Sequence, residues 1–143
     1  MITIEYTTDL NSKTYHDALN IRKEVFIKEQ NVDEKIEIDG EDNCTHATLY
    51  KDNQAAGTAR YFPTNDNGIH VQRVAVLKEY RHQGIASKLL NNLIKRVKDS
   101  GYTYVILGAQ DHAQDFYTQL GFEVVGEQYR EAGILHHDMK LTL

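Results

Sequence analysis

The sequence is poor in residues that mark several protein classes: among 143 residues it has one cysteine, one proline and no tryptophan. A single cysteine, Cys44, cannot form an internal disulfide, which excludes disulfide-stabilised secreted folds and favours a reducing compartment. We therefore expect a cytoplasmic protein. Linkers rich in proline or serine and internal repeats are also missing, so the sequence predicts a single domain over residues 1–143.

Long apolar runs and an excess of positive charge are missing too. No stretch approaches the roughly 20 apolar residues that a membrane-spanning helix needs, and the N-terminus has no signal-peptide pattern. The chain has 16 Lys and Arg against 21 Asp and Glu, a formal net charge of −5. Nucleic acids and anionic membranes require a broad basic surface, so we expect neither as a partner.

What the sequence does contain is a regular alternation of strand and helix patterns. Their order, β, α, β, β, β, α, β, α, β, β, indicates the α/β class with a mixed sheet and helices on both faces. Asn11 or Ser12 is placed to cap the first helix, and Asp111 to cap the last one. A strand, a helix over about 84–99 and a further strand form a central crossover, which should be parallel and right-handed.

The turn into that second helix has an unusual composition. Residues 74–90 read VAVLKEYRHQGIASKLL, so an apolar strand meets Arg81, Gly84 and Ala86 at the start of a helix. A glycine and a small residue leave the first helical N–H groups open to an anion, with Arg81 and Ser87 as additional donors. Neither the P-loop nor the GxGxxG pattern occurs, and an ordinary strand-to-helix turn explains the spacing equally well.

The same segment resembles the central motif of the GCN5-related N-acetyltransferase (GNAT) family. That motif is Arg or Gln, two residues, Gly, one residue, and Gly or Ala, and Arg81, Gly84 and Ala86 occupy its three positions. Residues 116–122, FYTQLGF, resemble the second signature of the family, with Tyr117 at the position of the tyrosine near the coenzyme sulfur.

The resemblance extends over nearly the whole chain. Residues 21–30, 109–117 and 131–139 resemble the small bacterial YjcF/ElaA-like branch of the family. At Leu135 the chain departs from that branch, in which proline precedes the histidine, and this changes the backbone approach to His136.

The resemblance implies an N-acetyltransferase that passes an acetyl group directly to a primary amine, with acetyl-CoA as co-substrate and no metal. In the family, the loop amides bind the coenzyme pyrophosphate and the preceding strand binds the pantetheine arm. The residues of this chain at the coenzyme-binding positions are Val74, Ala75, Val76, Arg81, His82, Gln83, Gly84, Ile85, Ala86, Ser87, Gln110, Phe116 and Tyr117.

Amine acetylation needs a proton acceptor for the amine, stabilisation of the oxyanion and a proton donor for the thiolate. The resemblance implies Tyr117 as general acid, although its spacing alone also fits a core tyrosine. Glu29 and His46 are the candidate bases, with a water chain as the alternative. Glu29 shares one predicted helix face with Tyr15, Leu19, Arg22 and Phe26. For substrate binding we expect Glu29, Arg73 and His136.

Other functions stay open at this point. A coenzyme A-binding sensor or interaction module without turnover is the main alternative. A homoserine-lactone-type synthase is disfavoured, because no basic patch for an acidic carrier protein is evident. A metal site is disfavoured because His136 and His137 point to opposite faces of a strand and HExxH is absent. The sequence does not specify whether the acceptor is a small molecule or another exposed amine, nor the oligomeric state.

Overall fold

Seven strands form a mixed sheet with helices on both faces, which confirms the predicted fold class. The computed structural model describes residues 1–32 and 41–143. The strands lie in the order β1-β2-β3-β4-β5-β7-β6. Their bounds are β1 (Ile2–Thr7), β2 (Thr45–Lys51), β3 (Gln54–Pro63), β4 (Ile69–Val76), β5 (Tyr104–Gln110), β6 (Glu123–Glu131) and β7 (Ile134–Thr142).

The helical elements are α1 (Lys13–Arg22), which continues as a π-helical segment (Lys23–Glu29), α2 (Ile85–Asp99) and α3 (Gln114–Gln119). Ser12 caps α1 as predicted, because its Oγ accepts a hydrogen bond from the N–H of Tyr15 at 3.2 Å. The predicted cap at Asp111 is wrong. A 3₁₀ turn (Asp111–Ala113) precedes α3, so the cap position falls on Ala113, which has no capping side chain.

β4 and β5 are parallel neighbours that separate part of the way along. Residues 69–71 pair with residues 105–107, and α2 connects the two strands as the predicted crossover. Beyond these residues the described chain shows no further pairing between β4 and β5. A cleft therefore opens between their C-terminal ends, at the edge where α2 begins.

A β-bulge in β4 explains the separation. Between the register pairs Arg60–Gln72 and Thr58–Ala75, β4 has two residues where β3 has one. Arg73, inside the bulge, has φ +56°, a left-handed conformation that is uncommon for residues other than glycine. A bulge bends its strand and increases the local twist, so β4 turns away from β5 at this point.

The bulge also exchanges the two faces of β4. Before it, Ile69 and Val71 belong to the main apolar core, which also contains the buried side of α2. After it, Val74 and Val76 pack against that core, whereas Ala75 joins a second apolar cluster beneath α1. Because side chains alternate along a strand, one extra residue shifts the alternation by one position.

The side of α1 that meets the sheet carries a buried charge cluster. Glu41 forms ion pairs with Arg22 at 2.9 Å and with Arg60 at 2.5 Å, and it accepts a hydrogen bond from the hydroxyl of Tyr15. Burial alone would raise the pKa of Glu41, but the hydrogen bonds from Arg22 and Tyr15 outweigh burial and hold its pKa below the usual value. A carboxylate that stays charged therefore ties α1 to β3.

The predicted single face of the first helix is only partly correct. Tyr15, Arg22 and Phe26 are buried, but Leu19 is only half-buried and Glu29 is exposed. Glu29 belongs to the π-helical segment that begins at Lys23 and has more residues per turn than an α-helix, so a spacing counted for an α-helix no longer places it on the face of Tyr15 and Arg22.

We expect Glu41→Gln to lower the free energy of unfolding by about 3 kcal/mol, because two buried guanidinium groups lose the carboxylate that faces them. Urea denaturation at pH 7 measures this change. Since folding lowers the pKa of Glu41, the difference from wild type is complete above the unperturbed value of 4.5 and is lost as the pH falls through the lower folded-state pKa.

The matched control is Glu24→Gln, which removes an exposed ion pair with Lys28 at 2.8 Å and should cost less than about 0.5 kcal/mol. Equal losses in the two variants would contradict the importance of the buried cluster.

Candidate functional site

The loop between β4 and α2 presents backbone N–H groups at the positive end of a helix. The hydrogen bond from Lys88 N to Gly84 O (3.1 Å) is the first of the helical ladder, so the N–H groups of Ile85, Ala86 and Ser87 precede it. Gly84 has φ +74°, and a Cβ placed on it would meet nothing within 4 Å in the described chain. The loop is therefore open to an anionic ligand.

The side chain of Arg81 points away from this loop. Its Nε donates to the carbonyl oxygen of Val76 at 3.0 Å, and its Nη2 donates to Glu29 Oε1 at 3.0 Å. The guanidinium is thus turned toward the cleft, instead of the loop where it was predicted to act as an extra donor. Lys51 reaches Gln83 and brings to the loop a positive charge that the sequence pattern did not reveal.

A cavity of about 500 Å³ occupies the split between β4 and β5. Its walls are the C-terminal half of β4, the end of β5, the π-helical segment after α1, α3 with the 3₁₀ turn before it, and the hairpin formed by β6 and β7. The predicted site residues that line it are Glu29, Arg73, Val74, Ala75, Val76, Arg81, Gln110, Tyr117 and His136. Phe116 and residues 82–87 lie outside this lining.

Tyr117 is held at the cavity wall by aromatic neighbours. Only 8 % of the residue is exposed, and its ring meets those of Phe116 and Phe122 edge-on, with centroids 5.0 and 5.8 Å away. Burial raises the pKa of Tyr117 well above its usual value, so its hydroxyl stays protonated at neutral pH. That hydroxyl makes no hydrogen bond within residues 1–32 and 41–143, which leaves its proton available to a ligand in the cavity.

His46 does not reach the cavity. The residue is 1 % exposed and lies on β2, two strands from the cleft, where its Nε2 donates to the backbone oxygen of Glu41 at 2.9 Å. Burial lowers the pKa of His46 and favours its neutral ring. The structure therefore places this candidate base in the charge cluster under α1 and separates it from the other predicted site residues.

A pair of glutamines lies in the cavity lining; Gln110 was predicted as a coenzyme-binding residue, but its partner Gln30 was missed in the sequence. The side-chain amides of Gln30 and Gln110 lie within hydrogen-bond distance in both directions, at 2.9 and 3.3 Å. His112 adds a bond from its Nε2 to Gln110 Oε1 at 2.6 Å. The two glutamines are 80 positions apart, so no local spacing could have revealed the pair.

The wall opposite β4 combines residues from three strands. The hydroxyl of Tyr129 donates to Asp138 Oδ1 at 2.7 Å, and the Tyr129 ring stacks on His136 with centroids 5.6 Å apart and planes at 16°. Gly108 makes this possible, since a Cβ there would lie 2.3 Å from the Tyr129 oxygen. The alternation along β7, which places His136 and Asp138 on one face, was the available sequence signal.

No group of three or more His, Cys, Asp or Glu side chains among residues 1–32 and 41–143 is arranged to hold a metal ion. No helix of the described residues is both long enough and apolar enough to cross a membrane.

Comparison with known proteins gives a consistent family. A model described as "Acetyltransferase (GNAT) domain" matches residues 9–143. YjcF of Bacillus subtilis, described as an uncharacterized N-acetyltransferase, is 35% identical over 131 residues, which covers 90% of this chain and 93% of YjcF. The protein ElaA of Escherichia coli is 30% identical over 138 residues, covering 92% and 90% of the two chains.

Solved structures agree with this result. The crystal structure of an acyl-CoA N-acyltransferase from Pseudomonas aeruginosa superposes with a TM-score of 0.84 at 29% identity, covering 98% of this chain and 97% of the other.

We expect Gly108→Ala to displace the Tyr129 hydroxyl and cost about 1 kcal/mol of unfolding free energy, the usual value of one hydrogen bond. Denaturation of a double-mutant cycle with Tyr129→Phe measures this directly, because the second substitution removes the hydroxyl that collides with the new methyl group. If Gly108→Ala costs the same in both backgrounds, the contact with Tyr129 is not the cause.

Proposed function

Since this chain belongs to the GNAT acetyltransferase family and is an acetyl-CoA-dependent N-acetyltransferase, we propose that the acetyl group passes to an acceptor amine in the cleft between β4 and β5. One observation carries the proposal: the open N–H groups of α2 follow the end of β4, and the cavity that β4 lines has the Tyr117 side chain in its wall. A binding site for an anion and a proton donor for a thiolate are thus linked by one strand. We treat residues 1–143 as one catalytic domain.

The loop at residues 81–87 is suited to the pyrophosphate of acetyl-CoA. Three N–H groups stand at the positive end of a 15-residue helix, and Gly84 leaves the approach to them open. The ammonium group of Lys51, held at Gln83, adds positive charge beside the loop in a protein whose net charge is negative.

The β4 strand is suited to the pantetheine arm. After the bulge, residues 74–76 pair with β3 on one side, but on the other side they face the cleft without a strand partner in the described chain. The carbonyl oxygen of Val76 accepts a hydrogen bond from Arg81 Nε. The other backbone N–H and C=O groups on this edge need hydrogen-bond partners, which the amides of pantetheine can supply. An N–H of the same edge is positioned to polarise the thioester carbonyl.

Tyr117 is assigned as the general acid. The departing thiolate needs a proton, and a buried phenol with a raised pKa holds one throughout the neutral range. Its hydroxyl has no competing partner in the described residues, whereas the phenol oxygens of Tyr15, Tyr50 and Tyr129 are each bound to a carboxylate.

The acceptor is a primary amine, either of a small molecule or exposed on a larger one. Glu29, Arg73 and His136 line the cavity and are assigned to acceptor binding. Glu131 and Asp138 lie in the same lining, so carboxylates surround the place where a protonated amine would arrive.

We place the enzyme in the cytoplasm, which its single cysteine supports. We assign it no nucleic-acid partner because of its net charge of −5.

Titration calorimetry with acetyl-CoA tests the coenzyme site. We expect saturable binding that becomes much weaker with S-acetylpantetheine, which lacks the pyrophosphate. Gly84→Ala should raise the Kd for acetyl-CoA about tenfold, because a methyl group at this position obstructs one N–H bond to a charged group.

Gly101→Ala is the matched control, because Gly101 follows the other end of α2 with φ +94° and a Cβ there would also meet nothing within 4 Å in the described chain. Gly101→Ala should bind acetyl-CoA with the same Kd as wild type. Equal weakening by both variants would indicate a general effect of backbone strain.

Tyr117→Phe should bind acetyl-CoA with unchanged Kd and turn over about 100-fold more slowly, since it keeps the ring and removes the proton donor. Release of free thiol at saturating amine measures kcat. Tyr6→Phe, which removes a hydroxyl bonded to Asn92 at 2.6 Å on the surface of the sheet, serves as control and should keep wild-type kcat. Undiminished turnover in Tyr117→Phe would remove this assignment.

A further inference from the structure

His136 has one ring nitrogen fixed and the other available. Its Nδ1 lies 2.7 Å from the carbonyl oxygen of Ile134. A carbonyl oxygen can only accept, so Nδ1 carries the proton and the Nε2 of the neutral ring has a lone pair. The residue is 7 % exposed and lines the cavity, and its Nε2 has no hydrogen-bond partner in the described chain.

The orientation of this ring is set by its surroundings. Tyr129 covers one face of the imidazole, and Asp138 fixes Tyr129 through the hydrogen bond at 2.7 Å. His136 and Asp138 are two positions apart on β7 and therefore share a face of the strand. A basic nitrogen is thus held in a fixed place beside a carboxylate.

The other candidate bases in the cavity are less suitable. Glu29 is engaged by Arg81 at 3.0 Å. His112 uses its Nε2 on Gln110. His70 lies opposite Ile106, where β4 and β5 are still paired, and burial lowers its pKa.

We propose that His136 is the general base of this enzyme and that its Nε2 takes the proton of the acceptor amine. The inference rests on the proposed function and adds the residue that the sequence left open. An acceptor that arrives as an ammonium ion first releases one proton to solvent. The neutral amine nitrogen then bonds to the acetyl carbon while a second proton moves from it to Nε2. The carbon–sulfur bond then breaks, the sulfur takes the Tyr117 proton, and the proton held by His136 returns to Tyr117 through solvent.

The charges around His136 favour this role. The imidazolium formed on proton transfer keeps its Nδ1–H bond to Ile134, and the carboxylate of Asp138 lines the same cavity from the same face of β7. The carboxylates also favour arrival of the acceptor as an ammonium ion. The titratable and charged groups that share the cavity with His136 are Glu29, His70, Arg73, Arg81, His112, Tyr117, Tyr129, Glu131 and Asp138.

The decisive variant is His136→Asn. The amide nitrogen of asparagine occupies nearly the position of Nδ1, so it can keep the hydrogen bond to Ile134 while Nε2 is removed. His137→Asn is the matched control, because His137 points to the other face of β7, where its Nδ1 bonds Asp111 at 2.8 Å, and it does not line the cavity.

Transfer from acetyl-CoA to hydroxylamine and to putrescine provides the kinetic test. We expect His136→Asn to lower kcat/KM for both probes at least about tenfold and to lose the limb of the pH–rate profile that reports deprotonation of the base. Free imidazole should restore part of the rate.

The Kd of His136→Asn for acetyl-CoA should stay within about twofold of wild type, and His137→Asn should keep the wild-type pH–rate profile. An unchanged limb in His136→Asn, or its loss in His70→Asn instead, would overturn the proposal.

The tautomer provides a test that does not depend on turnover. In a long-range proton–nitrogen correlation spectrum of the ¹⁵N-histidine-labelled protein, the signals that vanish in His136→Asn should show a protonated Nδ1 and an unprotonated Nε2. A protonated Nε2 in the neutral ring would refute the assignment even if neither probe were acetylated. Failure of the wild-type protein to bind acetyl-CoA would instead refute the proposed function. The failure of the general-base assignment and the failure of the proposed function are therefore distinguishable.

Discussion

The β-bulge at Arg73 is the constraint on which the rest of the site depends. One extra residue in β4 turns the strand away from β5, exchanges its two faces and leaves one backbone edge without a strand partner. Without it, parallel pairing would continue and the cavity would close. A left-handed residue that is not glycine costs on the order of 1–3 kcal/mol, and regular pairing with β3 on both sides of the bulge keeps it in place.

Two layers of different chemistry hold this bent strand. On one face, the apolar core fixes α2 so that its N-terminus stands at the end of β4. On the other face, Glu41 draws Arg22 and Arg60 together and attaches α1 over the sheet, with Gln72 of β4 bonded to Arg60 at 3.0 Å. Both faces therefore meet at β4, the strand that we assign to the pantetheine arm.

Local patterns in the sequence predicted what local physics determines. The order of strands and helices along the chain and the apolar stripe of α2 each depend on residues within about one turn or one strand. The loop at Gly84 and Tyr117 were assigned through the resemblance to the GNAT family, because their spacing alone also fits an ordinary turn and a core tyrosine. The sequence could not predict which distant side chains meet. His46 was a candidate base because it is a titratable residue in a predicted strand. In the structure, Arg60 and Glu41 from other segments enclose it. The pair of Gln30 and Gln110 and the bond from Tyr129 to Asp138 likewise exist only after the sheet has formed.

The division of the cleft between separate elements has an evolutionary consequence. The groups assigned to the coenzyme come from β4, α2 and α3, whereas Tyr129, Glu131, His136 and Asp138 belong to one hairpin, β6 and β7, at the edge of the sheet. β6 is the outermost strand and is largely exposed, so substitutions there disturb few neighbours. Substitutions in β6 can therefore alter one wall of the acceptor site while Glu29, Arg73 and the elements assigned to the acetyl donor stay unchanged.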